Sequence, residues 1–203
     1  MSDELLLVRH GQSHSNAASI VEGPGCGGLT EGGHVTARAV AVRLAAERKI
    51  SALHTSSTRR ARETASAITA ATGIRAVSES ALRVPDPGAR EGLPWSQVRA
   101  EGVLPDETWE AYLDRVLCRL ELLVAQHPGG RVVVVGHAET ASALFVLFTR
   151  CRDLGGLRVP LDYGAITSFI RFGGYWQLHR HNDTMHVPPG APRYPAAISS
   201  SVN

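Results

Sequence analysis

Short apolar runs punctuate this chain, and several of them stop abruptly at residues capable of chemistry. Leu5-Leu6-Leu7-Val8 runs straight into Arg9-His10-Gly11. Val132-Val133-Val134-Val135 runs into Gly136-His137, and the shorter segment from Ile50 to Leu53 leads into Thr55-Ser56-Ser57-Thr58-Arg59-Arg60. Continuous apolar runs of four or five residues, as opposed to alternating ones, predict strands buried on both faces. Strands are expected at 4–8, 51–54, 74–78, 131–136, 165–171 and 174–180. Helical spacing predicts helices at 33–48, 59–72, 106–127 and 138–151, with a short one near 13–20. Trp109, Tyr112, Leu113, Val116, Leu120 and Leu123 recur at that spacing and are core candidates. Asp106 is the expected N-cap of their helix. Strand and helix alternate through most of the chain, which predicts a three-layer α/β/α sandwich with a mostly parallel central sheet.

At 203 residues the chain is long enough for one sizeable core and short for two, so a single domain over 1–203 is expected. The stretch 188–203 is rich in proline and serine and reads as a loose tail. A hydrophobic share of 43% with 20% charged residues is that of a soluble globular protein. The formal net charge of +2 gives no reason to expect nucleic-acid or membrane partners. No apolar run approaches a membrane span, and the acidic start is unlike a signal peptide. Cys26, Cys118 and Cys151 are odd in number and lack metal-ligand spacing, which points to a reduced, cytoplasmic protein.

The ends of parallel strands are where open α/β sheets bind ligands. The sequence delivers His10, Arg60 and His137 to three such ends. A neutral imidazole there can attack, and a guanidinium fork can hold a phosphate. His14 follows His10 at a spacing that can bind metal on a helix, but no third ligand pattern accompanies it. The glycine-rich run from Gly23 to Gly28 lacks dinucleotide-binding spacing and is expected to be a mobile loop at the site mouth.

These segments together resemble the histidine phosphatase superfamily, which includes the cofactor-dependent phosphoglycerate mutases. The resemblance rests on Leu7-Val8-Arg9-His10-Gly11-Gln12-Ser13, on Arg60 to Ala65, and on Gly136-His137. Leu29-Thr30-Glu31-Gly32-Gly33 and Asn182-Asp183-Thr184-Met185-His186 support it. It spans about Leu5 to His186 and implies the fold already expected. It also implies that His10 is the nucleophile, that Arg9 and Arg60 clamp the phosphate, and that His137 donates to the transferring group. Asn16 matches the family's asparagine, and the backbone N–H of Ala138 is a further anion donor.

One departure bears on mechanism. Family members carry a glutamate that protonates the leaving group; the matching stretch here begins Leu82-Arg83-Val84-Pro85-Asp86 and places Val84 at that position. Asp86 is then the first candidate acid and Glu139 the second, and a third option is that no protein acid is used. The expected function is a metal-independent, cofactor-free phosphomonoesterase that acts on a small phosphorylated metabolite through a phosphohistidine. Its rivals are a mutase and a weakened pseudophosphatase that binds a phosphorylated ligand or partner. The interval from Thr64 to Val132 has no evident room for the lid segment of the family's mutases, which favours hydrolysis. Substrate identity and oligomeric state are not legible.

Overall fold

The computed structural model describes residues 3–25, 27–47, 49–152 and 159–194. Its elements, in chain order, are β1 (Glu4–Arg9), α1 (His14–Ala17), α2 (Glu31–Ala46), β2 (Ala52–Ser56), α3 (Arg59–Thr72), β3 (Ala76–Glu79), α4 (Trp95–Glu101), α5 (Trp109–Gln126), β4 (Arg131–Gly136), α6 (Ala138–Thr149), β5 (Ile166–Phe172) and β6 (Tyr175–Asp183). The strands form one sheet in the order β3-β2-β4-β1-β5-β6. The first four of these are parallel, and β5 and β6 add an antiparallel edge.

The continuous apolar runs are explained by this arrangement, since β1 and β4 are buried along their whole length. Leu5, Leu7, Val132 and Val134 pack into one core with residues of α5 and α6. Leu6, Val8, Val133 and Val135 pack into a second core with residues of α2 and α3. The strands therefore need apolar side chains at every position, and three layers result. Edge strand β6 is different: Tyr175 and Leu178 are exposed. The β5–β6 turn places Gly173 and Gly174 at φ 57° and 86°, the backbone that a tight hairpin demands.

The structure departs from expectation in local ways. Asp106 does not cap α5. Thr108 does, accepting from Ala111 N at 3.2 Å, because the helix begins two residues later than the acidic residue suggested. Helix α4 was not anticipated, since Val98 is its one buried residue and it carries no periodic signal. The stretch expected to be loose from 188 is anchored as far as it is described. Tyr194 N donates to Asp162 Oδ1 at 3.2 Å, and the Tyr194 ring covers Arg9 with Arg9 Cζ 4.4 Å from the ring centroid. Residues 195–203 of that stretch, like Cys26, lie outside the described residues.

Candidate active site

The candidate site forms where β1, β2 and β4 end together. Arg9 closes β1 and His10 follows it. Ser56 ends β2, and Arg60 lies in the first turn of α3. His137 follows β4 and opens α6. A close backbone approach fixes the turn after β1: a Cβ on Gly11 would fall 2.3 Å from Gly33 O, and one on Gly33 would fall 2.1 Å from Gln12 O. Only glycine at both positions lets the start of α2 press against this turn. Gly11 N also donates to Thr64 Oγ1 at 3.1 Å, tying the turn to α3.

His10, Arg60 and His137 are 3%, 2% and 1% exposed. His10 Nδ1 lies 2.7 Å from the Gly11 carbonyl and so carries the proton, because a carbonyl can only accept. Its Nε2 accepts from Arg60 Nε at 3.2 Å. Arg60 Nη2 lies 3.4 Å from His137 Nδ1, which accepts, and His137 Nε2 then donates to Ser56 Oγ at 2.8 Å. The two imidazoles meet edge to face with centroids 5.1 Å apart. Both hold their protonated forms off. Burial pushes each well below the usual histidine value of 6.5, and the Arg60 and Arg9 charges push the same way. The arrangement presents a neutral ring with its Nε2 lone pair held beside a guanidinium.

Arg9 Cζ sits 4.4 Å from the ring centroids of both Tyr163 and Tyr194, whose rings meet edge to face at 80°. It also donates to the Leu161 carbonyl. Burial lowers its pKa from the ordinary arginine value, opposed by the electrostatics of Tyr163 and Glu139. Two tyrosines thus hold the cation in place through their ring faces without neutralising it. Neither was anticipated. Tyr163 follows a segment with no periodic signal, and Tyr194 sits among prolines.

Asn16 N and side chain close a capping box with Ser13 at the start of α1. Asn16 Nδ2 is 3.3 Å from Glu22 Oε2, the same oxygen that accepts from Ser13 Oγ at 2.7 Å. That oxygen also lies 3.2 Å from Arg60 Nε. Glu22 was not singled out in the sequence; the clue available was an acid set immediately before the glycine-rich run. The run itself is tied down at several points rather than free: Gly23 O accepts from Arg60 Nη1 at 3.1 Å and Gly25 N donates to Glu91 Oε1 at 2.9 Å.

Ala138 is the first residue of α6, so its N–H is among those that a helix leaves without an internal acceptor. Glu139 follows it and lies within electrostatic reach of Arg9. Asp86 is exposed, and its Oδ1 accepts from Gly88 N at 3.0 Å. With Val84, Arg83, Asp106 and Pro24 it lines a cavity of about 440 Å³. Arg115 fixes this wall. It donates to the Ala81, Arg83 and Val84 carbonyls at 2.8, 3.0 and 2.9 Å while holding Glu107. His14 is exposed at the head of α1, whereas His10 is buried. Among the described residues no three His, Cys, Asp or Glu side chains cluster as a metal site. No helix of the described residues is long and apolar enough to cross a membrane. His181 and His186 serve the frame: His186 Nε2 donates to Gly164 O at 2.9 Å, and His181 Nδ1 meets Thr167 Oγ1 at 3.1 Å.

A three-layer α/β/α fold thus gathers two histidines and two arginines at the ends of its central parallel strands. The chain belongs to the histidine phosphatase superfamily (branch 1), whose family model matches residues 5–184. It is 31% identical over 175 residues to a metal-independent phosphoserine phosphatase of Arabidopsis thaliana, covering 76% of this chain and 72% of that protein. It is 31% identical over 202 residues to phosphoglycerate mutase-like protein 4 of the same plant, covering 91% and 86%. Among solved structures, the mycobacterial glucosyl-3-phosphoglycerate phosphatase superposes with a TM-score of 0.77 at 24% identity, covering 91% of this chain and all of that one; at that identity the likeness is one of fold.

Proposed function

We propose that the protein is a metal-independent phosphomonoesterase that hydrolyses a small phosphorylated metabolite through a phosphohistidine on His10. The observation that carries this reading is the state of the His10 ring: Nδ1–H is spent on the Gly11 carbonyl, and the unprotonated Nε2 accepts from Arg60. A nucleophile fixed in one tautomer, beside a cation that can hold the phosphoryl group it attacks, is what in-line transfer requires. Arg9 and Arg60 supply positive charge to the phosphoryl oxygens. His137 Nε2 donates to Ser56 in the unliganded site, and the Asn16 amide and the Ala138 N–H add donors for the same oxygens. The phosphatases among the protein's relatives support hydrolysis. The phosphate ester is the expected partner and the cytoplasm the expected compartment.

The test is His10→Ala. It is expected to abolish phosphate release from aryl and alkyl phosphates while the melting temperature stays near that of the parent. Rapid quench of the wild type should trap an acid-labile, base-stable phosphoryl group that the variant lacks. Retention of more than a few per cent of turnover would end the assignment. A chelator should leave turnover unchanged, because the arginines and histidines supply the charge that a metal supplies elsewhere. A mutase would show itself in the same assay by passing the phosphoryl group to a second hydroxyl instead of to water.

A further inference from the structure

Glu22 is the one carboxylate built into the Arg60–His10 pair. Its side chain is 5% exposed. Oε2 accepts from Ser13 Oγ at 2.7 Å and from Asn16 Nδ2 at 3.3 Å, and it is ion-paired with Arg60, 3.2 Å from Nε. The Arg60 Nε–H itself goes to His10 Nε2, so carboxylate and nucleophile lie against one guanidinium. Oε1 is buried with no hydrogen-bond partner. A buried carboxylate oxygen that accepts no hydrogen bond favours the protonated acid over the anion. The backbone on either side is fixed: Val21 N donates to Leu93 O at 2.8 Å, and Gly23 O accepts from Arg60 Nη1 at 3.1 Å. The carboxylate is thus held in position rather than draped over the pocket.

Resting on the phosphatase reading above, we propose that Glu22 is the proton carrier of the site. It takes up a proton as a phosphate ester dianion enters and gives that proton to the leaving oxygen. Oε2 sits on Arg60 and Asn16, the donors that a phosphoryl oxygen needs. A dianion and a carboxylate sharing them repel, and the repulsion is relieved by protonating the carboxylate. The groups around it are Arg60 and, through Arg60, His10; Tyr163, which feels its charge; and the Glu91 carboxyl, which lies against Gly23. A second negative charge at Glu91 acts in the same direction as the incoming phosphate.

The step balances. His10 Nε2 bonds to phosphorus as the bond from phosphorus to the leaving oxygen breaks. The pair of that bond stays with the oxygen, which receives the Glu22 proton. In the second half the Glu22 carboxylate takes a proton from water as the water oxygen bonds to phosphorus. The phosphorus–nitrogen bond breaks and its pair returns to Nε2. Release of hydrogen phosphate returns the proton to solvent. Asp86, bonded to Gly88 in an exposed loop, and Glu139, in reach of Arg9 only through space, make no such contact with the pair.

Sulfate tests the uptake step because it stays a dianion across the neutral range. Calorimetric titration of the wild type with sulfate, in buffers of different ionisation enthalpy, is expected to show proton uptake approaching one per site near pH 7. Glu22→Gln is expected to bind sulfate with that uptake gone. In turnover, Glu22→Gln is expected to lose about 10²–10⁴-fold on glycerol phosphate, as for loss of a general acid. It should lose far less on p-nitrophenyl phosphate, whose leaving group needs little protonation. Sulfate binding with no difference in proton uptake between the two proteins overturns the proposal. So does an equal effect of the substitution on both esters, which would make Glu22 only a counter-ion for Arg60. If Glu22→Gln fails to fold, the same sulfate titration of a His10→Gln/His137→Gln double variant decides, because uptake that survives there cannot come from the two histidines on Arg60, and uptake that vanishes overturns the proposal. A wild type that takes up the proton with sulfate yet hydrolyses neither ester counts against the phosphatase reading, not against Glu22 as the proton-binding group.

Discussion

Two arginine clusters in this molecule use the same residue type to opposite ends. Away from the candidate site, Arg43, Arg131 and Arg180 meet Glu4, Glu47 and Asp183. Glu4 of β1 and Arg131 of β4 are register partners at the amino ends of neighbouring strands, with Nε and Oε2 3.1 Å apart. Arg180 donates to both Glu47 oxygens at 3.0 and 3.1 Å, and Arg43 donates to Glu47 at 3.0 Å and to Asp183 at 2.5 and 3.0 Å. Burial works to raise Glu47, but the Arg180, Arg43 and Arg131 guanidiniums prevail and hold it at about 2. Cations and carboxylates match, and the cluster ties α2 to both the middle and the edge of the sheet. At the other end of the strands Arg9 and Arg60 have one contacting carboxylate between them, Glu22. Arg9 sits in the corner formed by the Tyr163 and Tyr194 rings, and its buried Nε lacks a hydrogen bond. Charge matched inside the protein stabilises the fold; the strand-end arginines carry more positive charge than the one carboxylate in contact with them, as the proposed phosphate site requires.

The contrast predicts that one arginine removed from each cluster will fail in a different assay. Arg131 is 1% exposed and Glu4 is 7% exposed. Arg131→Met leaves buried Glu4 with Arg180 alone, 3.9 Å away, and removing one partner of a buried pair typically costs about 3–5 kcal/mol. Urea unfolding should show that loss, with kcat/KM of the surviving folded protein within a factor of two or so of the parent. A stability change below about 1 kcal/mol would mean that the cluster is not what holds α2 to the sheet.

Arg60→Met is the reciprocal experiment. Removing one preorganised donor to the transferring group typically costs about 10²–10³-fold in kcat. Stability is expected to fall as well, because Glu22 is left buried without its ion pair; the loss of turnover in protein that remains folded is what sets this end apart. Turnover within tenfold of the parent would show that the surplus charge at this end does not serve the reaction.

What the sequence disclosed follows the same division. The strand-end positions of His10 and His137 were legible because each follows a four-residue apolar run, and Arg60 was legible through the resemblance carried by Arg60 to Ala65. The two-sided burial of β1 and β4 was legible from the same apolar runs. The charge-matched cluster was not. Its members are scattered from Glu4 to Asp183, and no local pattern tells an arginine bound for Glu47 from one bound for solvent. Glu22, Tyr163 and Tyr194 escaped notice for a related reason. Each reaches the site from an irregular segment, where neither period nor capping signals side-chain direction. Asp106 misled because a short acidic residue near a helix start is a good cap, yet Thr108 stood two residues closer.

Acid separates the two clusters by pH window. His10 and His137 remain neutral in the folded protein, held well below 6.5 by burial first and by Arg60 next. The unfolded chain takes up protons at these positions as pH falls through about 6.5, and the folded chain does not. Their contribution is therefore present above that pH and lost below it, at up to about 1.4 kcal/mol per pH unit for each histidine. The charge-matched cluster acts lower. Glu47 stays ionised in the fold down to about 2, while its unfolded value is the ordinary 4.5, so its contribution is intact above 4.5 and fades as pH falls toward 2. Melting curves between pH 7.5 and 3 should show both phases. His10→Gln, neutral in either state, is expected to flatten the slope just below 6.5 and leave the lower phase in place. Glu47→Gln is expected to do the converse, at some cost in stability at neutral pH. If His10→Gln leaves the upper slope unchanged, the folded histidine already carries its proton near neutrality. The ring beside Arg60 would then have no lone pair to attack with, and the division between the two clusters would fail at its most chemical point.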